Sequence, residues 1–164
     1  MSVYIETYYE SLNKWNEELC GDTVGVVRAR DSVVAVLADG LGSGVKANIL
    51  STLTGKIVLS MLSGGATIDE ALETVVSTLP VCAQRGVAYW TFTMLQIFPD
   101  DRVYIAEFDN PELVILREGK RLEFPARKRF LSGKTIYERR FTAQPEDTFV
   151  VFSDGVINAG VGTK

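Results

Sequence analysis

The sequence predicts an α+β protein in which antiparallel strands stack in layers against paired helices. Two observations lead to this fold class. Strand-like runs occupy both ends of the chain, and two helical patterns follow one another between them, over 45–62 and 67–79. The length of 164 residues and the hydrophobic content of 46% suit one domain with a substantial core. A single domain over residues 1–164 is therefore expected.

The first strands are predicted from alternating and β-branched residues. Val3 to Tyr8 alternates apolar and polar side chains, as a half-buried edge strand does. The runs Gly25 to Arg28 and Ser32 to Ala38 are separated by Ala29-Arg30-Asp31, which indicates a β-hairpin. The second strand of this hairpin leads directly into Asp39.

Two helices are predicted next. After the glycine-rich turn over 40–44, the stretch Val45 to Leu62 places apolar side chains at helical spacing, and Gly64-Gly65 ends the pattern. Thr67 and Glu70 have the spacing of a capping box, which marks the start of the second helix. The two helices are expected to pack as a pair.

The pattern returns to strands from Val87 onward. The predicted strands, separated by turn residues, are Trp90 to Phe98, Arg102 to Phe108, Glu112 to Leu116, Lys134 to Phe141 and Asp147 to Phe152. The turns between them are rich in Pro, Gly and Asp, as at Pro99-Asp100-Asp101 and Glu118-Gly119. Aromatic residues such as Trp15 and Trp90 are expected to pack in the core or at strand edges.

The absence of histidine excludes several classes of enzyme. A Ser-His-Asp or Cys-His nucleophile system and a His-ligated zinc centre both need that side chain. The two cysteines, Cys20 and Cys82, match no zinc-ligand spacing and are predicted to be free, buried or half-buried thiols. Hard metal ions with oxygen ligands remain possible.

Charge and hydropathy also restrict the partners. The formal net charge of −4 argues against broad nucleic-acid binding. The one basic stretch, Arg117 to Arg140, is interleaved with aromatic residues and fits a solvated face or a partner-docking surface. No run of eighteen apolar residues and no basic, apolar leader is present, so neither a membrane span nor a signal peptide is expected. A cytoplasmic location follows as the expectation.

Three aspartates from remote parts of the chain lie beside a glycine at the end of a strand-like run. They are Asp22, Asp39 and Asp154. Such an arrangement delivers carboxylates to one edge of a sheet, which is how an oxygen-ligated divalent-metal site is built. The backbone carbonyl of Gly40 is a further candidate ligand, because a carbonyl can approach an ion where the chain turns tightly without a side chain.

The competing interpretation of Asp39 is structural. An Asp-Gly pair between a strand and a helix can simply cap the helix that follows. The recurrence of the pattern at Asp22 and Asp154 favours a site over three unrelated turns. Arg28 and Arg30, beside the hairpin turn, either meet a phosphate group or are solvated.

These motifs resemble those of a known family, the metal-dependent PPM (type 2C) serine/threonine phosphatases. The matching residues are Cys20-Gly21-Asp22, Ala38 to Gly44 followed by Ala47-Asn48, Leu131 to Lys134, and Phe152 to Gly155. The form ADGLGSG followed by AN is similar to the bacterial SpoIIE-like branch that serves stress signalling. The resemblance covers nearly the whole chain in motif order and spacing.

The resemblance implies a four-layer α-β-β-α sandwich, in which two antiparallel sheets are flanked by helix pairs. It implies two Mn²⁺ or Mg²⁺ ions at one edge, with Asp39 bridging both. The Gly40 carbonyl would bind one ion and Asp154 the other, while Asp22 would act directly or through a water. Asp22, Asp39 and Asp154 would thus carry the catalysis, in which a metal-activated water attacks phosphoserine or phosphothreonine.

The sequence departs from the family pattern in two places. Family members usually have a further metal-binding aspartate in a C-terminal strand, and the last residues of this sequence, Gly160-Val161-Gly162-Thr163-Lys164, include no aspartate. The chain also has no histidine to act as general acid towards the leaving group. The expected domain is therefore a PPM-type phosphatase domain without the family's C-terminal strand.

The resulting functional prediction is a Mn²⁺- or Mg²⁺-dependent phosphatase of phosphorylated scaffold proteins in a stressosome-like signalling complex. One alternative is a pseudophosphatase, which keeps the fold and binds phosphoproteins with little turnover. Another is a metal-dependent hydrolase of small phosphoesters.

Overall fold

The structure of the chain, a computed structural model, describes residues 4–79 and 90–159. Its centre is a six-stranded antiparallel sheet with the strand order β1-β2-β3-β4-β8-β7. The strands of this sheet are β1 (Asp22–Ala29), β2 (Ser32–Gly40), β3 (Trp90–Ile97), β4 (Arg102–Phe108), β7 (Arg127–Leu131) and β8 (Lys134–Thr142). A second antiparallel sheet, in the order β6-β5-β9, consists of β5 (Val114–Arg117), β6 (Lys120–Leu122) and β9 (Thr148–Val150).

Two helices pack side by side on the large sheet, α1 (Gly44–Ser63) and α2 (Ile68–Thr78). The start of α2 is fixed by the predicted capping box, in which the Thr67 hydroxyl accepts from the Glu70 amide and the Glu70 carboxylate accepts from the Thr67 amide. By length and hydropathy alone, α1 could cross a membrane. It is buried along one face by β1 and β2, which is the environment of a core helix.

The core has two parts because the large sheet is apolar on both faces. One face carries Val34, Val36, Phe92 and other buried residues towards α1 and α2. The opposite face carries Leu95, Ile97 and Ile105 towards the small sheet, where Leu113 and Ile115 meet them. The layers are therefore helices, large sheet and small sheet.

The α+β class with two antiparallel sheets and a helix pair is confirmed. A second helix pair, which the four-layer form of the prediction requires, is not found in the described residues. Apart from α1 and α2 they contain one helix, the single turn α3 (Asp154–Ile157). The predictions that fall on Val87 and on Cys82 lie outside the described residues.

The predicted N-terminal strand is wrong for the residues that can be described. Residues 4–8 form no strand, and Tyr4 and Tyr8 are exposed while Ile5 packs against the core between the sheets. Ile5 is the one residue of 4–8 that packs against the core, so the alternation of apolar and polar residues did not indicate a strand here. The expectation of packing also fails at Trp15, which is 88% exposed, and holds at Trp90, which is fully buried.

Two short strands, β6 and β7, were not predicted. They lie at sheet edges within the basic stretch over 117–140, where polar side chains occur on both faces. Strands of this kind lack the apolar alternation by which a half-buried strand is recognised. The turn between β7 and β8 places Ser132 and Gly133 at positive φ, as a tight two-residue hairpin requires.

Candidate active site

The β1–β2 hairpin places two of the three predicted aspartates opposite each other. In the register of this hairpin Asp22 pairs with Asp39, at the end of the strands far from the turn. Asp22 therefore begins a strand, whereas Asp39 lies at the end of one. The Gly40 amide donates to the Gly21 carbonyl at 3.2 Å, and this bond holds the two strand ends together.

The third aspartate reaches the same edge through two hydrogen bonds made by its neighbours. The Ser153 hydroxyl donates to Oδ2 of Asp22 at 2.6 Å. The Asn110 side-chain amide donates to the carbonyl oxygen of Phe152 at 3.3 Å and to the Thr93 hydroxyl at 2.7 Å. Asp154 follows as the first residue of α3 and is exposed.

Asp39 is the electrostatic centre of this group. Burial, as the largest cause, and the charges of Asp22 and Asp154 together raise the pKa of Asp39 to about 8. Both neighbouring carboxylates are within hydrogen-bonding reach of Asp39. Without a cation, the Asp39 carboxyl is therefore largely protonated at neutral pH, because three carboxylates at one strand edge cannot all ionise freely.

The glycine-rich loop after β2 is shaped by close contact with α1. A Cβ at Gly40 would fall on the backbone carbonyl of Ala47, so only glycine lets the helix approach the strand end. The loop then turns through Gly42 and Gly44, both at positive φ. The side-chain amide of Asn48, one turn into α1, donates to the Cys20 carbonyl at 2.9 Å. Helix α1 thus supports both segments that carry the paired aspartates.

The start of α1 also receives a carboxylate from the N-terminal segment. The N-cap residue Ser43 makes no hydrogen bond to the helix backbone, and the first turn of the helix has no acidic residue. The Ser43 hydroxyl donates instead to Oε1 of Glu17 at 2.7 Å. A negative charge at this helix end is favourable, because the free amides of the first turn carry partial positive charge.

The donor chemistry of the site fits a hard divalent ion. Within 4–79 and 90–159, no group of three or more His, Cys, Asp or Glu side chains is assembled closely enough to form a metal-binding cluster. Asp22 and Asp154 nevertheless both contribute, after burial, to the raised pKa of Asp39. The site therefore consists of two carboxylate pairs, Asp22 with Asp39 and Asp39 with Asp154. A bound cation would neutralise part of their negative charge.

The sequence did not identify three of the polar residues that hold the site together. Glu17, Asn110 and Ser153 were not among the predicted site residues. The adjacency of Ser153 to Asp154 was the one signal available. Glu17 and Asn110 could not have been found, because their partners lie far away in the sequence.

Arg28 and Arg30 lie away from the aspartates. They belong to the turn end of the β1–β2 hairpin, at the end of the strands opposite to Asp22 and Asp39. There they border an open cavity of about 330 Å³ with Ile5, Phe98 and Pro99. The structure therefore does not bring these arginines to the carboxylates.

Comparison with known proteins links this arrangement to one family. Residues 29–164 match the family model described as stage II sporulation protein E, SpoIIE. No curated protein matches the chain by sequence.

Three solved structures illustrate the likeness in fold. The PP2C phosphatase domain and regulatory-domain fragment of SpoIIE from Bacillus subtilis superposes with a TM-score of 0.79 at 18% identity, covering 94% of this chain and 47% of that chain. RsbX in complex with magnesium superposes with a TM-score of 0.68 at 21% identity, covering 89% of this chain and 72% of that chain. A structure from work on the bacterial stressosome superposes with a TM-score of 0.72 at 18% identity, covering 93% of this chain and 78% of that chain. The chain spans about half the length of the SpoIIE relative, and at these identities the likeness establishes the fold.

Proposed function

The chain belongs to the stage II sporulation protein E family, and we propose that it is a metal-dependent phosphatase acting on phosphoserine and phosphothreonine in proteins. The fold it shares with PP2C phosphatase domains supports this reaction class. The residues proposed to carry the reaction are Asp22, Asp39 and Asp154, with the Gly40 carbonyl as a further ligand.

The observation that carries the proposal is the position of Asp39 between the other two carboxylates. Asp39 lies opposite Asp22 in the hairpin register and within hydrogen-bonding reach of both Asp22 and Asp154. A shared central carboxylate is what two neighbouring ions need for a common ligand. A helix-capping role for Asp39 would not require two further carboxylates beside it.

The protein residues would hold Mn²⁺ or Mg²⁺ in this site, two ions being expected. When bound, such ions would supply the Lewis acidity that lowers the pKa of an attacking water and offsets charge on the phosphoryl oxygens. Asp39 would give up its proton on metal binding, since a carboxylate must be ionised to serve as a ligand. Ser153 orients Asp22 by donating to its Oδ2, which leaves the other carboxylate oxygen available.

The leaving alkoxide would depart without a histidine proton donor, because the chain contains no histidine. Within the carboxylate group, the carboxyl with the raised pKa is Asp39. We assign Asp39 to metal binding, so the leaving-group proton would have to come from solvent.

Phosphorylated scaffold proteins of a stressosome-like signalling complex are the proposed substrates. The support is the likeness to RsbX and to the structure from work on the bacterial stressosome. Substrates of this kind are cytoplasmic, and we propose that location for this chain. No nucleic acid or membrane partner is part of the proposal.

The function is tested by comparing a small phosphoester with a phosphoserine protein or peptide. We expect Mn²⁺-dependent release of phosphate from both, with a higher kcat/KM for the phosphoprotein. Turnover of the small ester alone would point instead to a hydrolase of small phosphoesters. The Asp39→Asn variant is the matched control, because it preserves side-chain volume while removing the charge.

A second candidate, a phosphoprotein-binding module with little turnover, has one observation in its favour. Asp154 is exposed at the start of a one-turn helix, so the side of the site that it serves is less enclosed than the Asp22 side. Binding of a phosphoprotein without Mn²⁺-dependent release of phosphate would support this role.

A further inference from the structure

Positive charge is concentrated in one part of this acidic protein. Residues 117–140 contain nine of the 17 Lys and Arg residues and only three acidic residues, although the whole chain has a net charge of −4. The sequence left two interpretations of this stretch, a solvated face or a docking surface.

About half of these cations have internal partners. Arg117 forms a bidentate pair with Asp147, with both N–O distances at 2.8 Å. Arg129 bonds to Asp69 of α2 and to Glu138, and Arg139 bonds to Glu107 and Glu112. Lys134 donates to the Val76 carbonyl at 2.8 Å. These four side chains therefore stabilise the fold and are already engaged in contacts within the chain.

The other five cations are exposed, and no carboxylate contacts any of them in the described part of the chain. They are Lys120, Arg121, Arg127, Lys128 and Arg140. Three of the five belong to the β7–β8 hairpin. The Arg140 guanidinium stacks over the Tyr104 ring at 4.7 Å, and the Lys128 ammonium lies 5.8 Å from the centre of the Tyr137 ring. Their positive charge faces solvent uncompensated.

Strand β7 is an outer strand of the large sheet, and no strand within 4–79 and 90–159 pairs with its far side. Arg127 pairs with Glu138 and Lys128 with Tyr137 across the hairpin, which places the two cations on opposite faces of the sheet. Phe130, on the same face as Lys128, is 77% exposed, and the neighbouring Tyr137 is 39% exposed. We call Arg127, Lys128, Phe130, Tyr137 and Arg140 the basic edge.

One alternative is that the charges on this edge strand have no binding role and simply prevent unwanted pairing with other chains. That explanation accounts for Arg127 and Lys128 but not for Phe130, because a large exposed aromatic ring on the same edge promotes association. Cations combined with exposed aromatic rings around an open strand edge are features of a surface that binds an extended chain.

We propose that the basic edge is a docking surface for an extended acidic segment of a partner protein, which adds to the large sheet as a strand beside β7. Backbone hydrogen bonds to β7 would supply the pairing, and acidic side chains at consecutive positions of the added strand would meet Arg127 on one face and Lys128 on the other. Phe130 would pack against an apolar side chain of the same segment.

Two other occupants fit less well. A second copy of this chain pairing through β7 would bring two strands of the same positive charge side by side, and like charges on neighbouring strands destabilise a sheet. Nucleic acid needs a broader cationic surface than three side chains on a protein of net charge −4. An acidic protein segment matches both the charge and the strand geometry.

The basic edge is remote from the carboxylates. Four strand spacings separate β7 from β2, which carries Asp39, and this corresponds to about 19 Å. Docking there would hold a partner without occupying the proposed phosphatase site, so the inference does not depend on turnover.

The experiment measures binding of fluorescein-labelled peptides by anisotropy, at low and at physiological salt. The probes are a short peptide of repeating Glu-Glu-Val-Val, which presents glutamate on both faces of a strand (the glutamate-valine peptide), its lysine-valine counterpart, and a glutamate-proline version in which each valine is replaced by proline, which has no backbone N–H to donate. We expect only the glutamate-valine peptide to bind, and the double variant Arg127→Glu with Lys128→Glu to bind it about tenfold more weakly. Arg28→Glu with Arg30→Glu, exposed cations at the other edge of the sheet, is the matched control and should bind as the wild type does.

Hydrogen exchange of the wild-type protein gives a second readout that needs no variant. The peptide should protect backbone amides within residues 127–131. Equal binding of the glutamate-valine and glutamate-proline peptides would overturn strand addition, and unchanged affinity in the charge-reversed variant would overturn the location. Tighter binding of single-stranded DNA, or a wild-type dimer that the variant abolishes, would assign the surface to nucleic acid or to self-association instead. Hydrolysis of a small phosphoester should be the same in both double variants and in the wild type.

Discussion

The Ser153 hydroxyl donates to the Asp22 carboxylate at 2.6 Å and thereby joins two residues 131 positions apart. Ser153 is 8% exposed, so the hydrogen bond is shielded from competing water. The contact ties the segment that carries Asp154 to the strand that begins at Asp22. Together with the Asn110 bond to the Phe152 carbonyl, it fixes the relative position of these two aspartates.

Ser153→Ala should weaken the proposed metal site more than it weakens the fold. Loss of one hydrogen bond costs about 1 kcal/mol of stability. Loss of a residue that orients a ligand reduces metal affinity by about tenfold or more. Calorimetric titration with Mn²⁺ and thermal unfolding separate the two effects. Ser153→Thr keeps the hydroxyl and should restore most of the affinity, whereas equal affinity in wild type and Ser153→Ala would remove the orienting role.

Asp39→Asn should abolish phosphatase activity while leaving the fold intact. The amide cannot supply the negative charge that a ligand shared by two ions needs. At neutral pH the folded, metal-free wild type must take up a proton at Asp39, and Asn removes that cost, so the metal-free variant should unfold at a higher temperature than the wild type. Phosphate release and circular dichroism test the two statements. Turnover near the wild-type level with Mn²⁺ would refute the assignment of the site.

The metal-free protein should lose stability as pH rises from about 4 to about 8. Burial and the neighbouring carboxylates raise the pKa of Asp39 to about 8 in the folded state, whereas the pKa in the unfolded chain is about 3.9. Between these values the folded state binds more protons than the unfolded state, so the free energy of unfolding decreases with pH. Burial raises the pKa of Glu107 as well, so this group also makes the free energy of unfolding decrease as pH rises.

The contribution of Asp39 is isolated by comparing wild type with Asp39→Asn. Thermal unfolding is recorded with EDTA over the same pH interval, and the variant should show the flatter profile because Glu107 titrates in both proteins. Parallel profiles would mean that Asp39 does not hold its proton in the folded state.

Activity should require a hard divalent ion. Exhaustive treatment with EDTA should remove turnover, and Mn²⁺ or Mg²⁺ should restore it, since an oxygen-only set without histidine suits such ions. Treatment with a zinc-selective chelator is the control and should have no effect. Full activity without added metal, or recovery with Zn²⁺ alone, would contradict the prediction.

Gly40→Ala should destabilise the protein by about 1–3 kcal/mol, because the new methyl group meets the Ala47 backbone and α1 must move away from the strand end. Gly42→Ala is the matched control in the same loop. A Cβ at Gly42 meets nothing within 4 Å, so this change introduces only the strain of its positive φ. Chemical denaturation should therefore rank Gly40→Ala as the more damaging substitution. The reverse order would show that the helix approach at Gly40 is loose.

The sequence by itself determined the elements whose signals are local. The strand Arg102–Phe108 was predicted with its observed ends, and the capping box of α2 was predicted from two residues three positions apart. The hairpin β1–β2 followed from two β-branched runs and a polar turn. Each of these depends on neighbours in the chain, which periodicity and turn chemistry describe directly.

The sequence also selected the three aspartates, because each lies beside a glycine and next to a strand-like apolar run, which Asp22 precedes and Asp39 and Asp154 follow. It could not supply Glu17 and Asn110, or the role of Ser153 in orienting Asp22. The bonds that these residues make to Ser43, Phe152 and Asp22 span 26, 42 and 131 positions. Only the closed fold brings such partners together.

The edges of the sheets were likewise decided by the tertiary structure. An interior strand such as β3 is buried on both faces and shows this in its composition, whereas β7 has one bonded neighbour and polar side chains on both faces. The alternation over 3–8 had the opposite outcome, since its described residues 4–8 form no strand and Ile5 is the one among them that packs against the core. A strand exists where a neighbour accepts its backbone hydrogen bonds, and that neighbour is chosen by the packing of the whole chain.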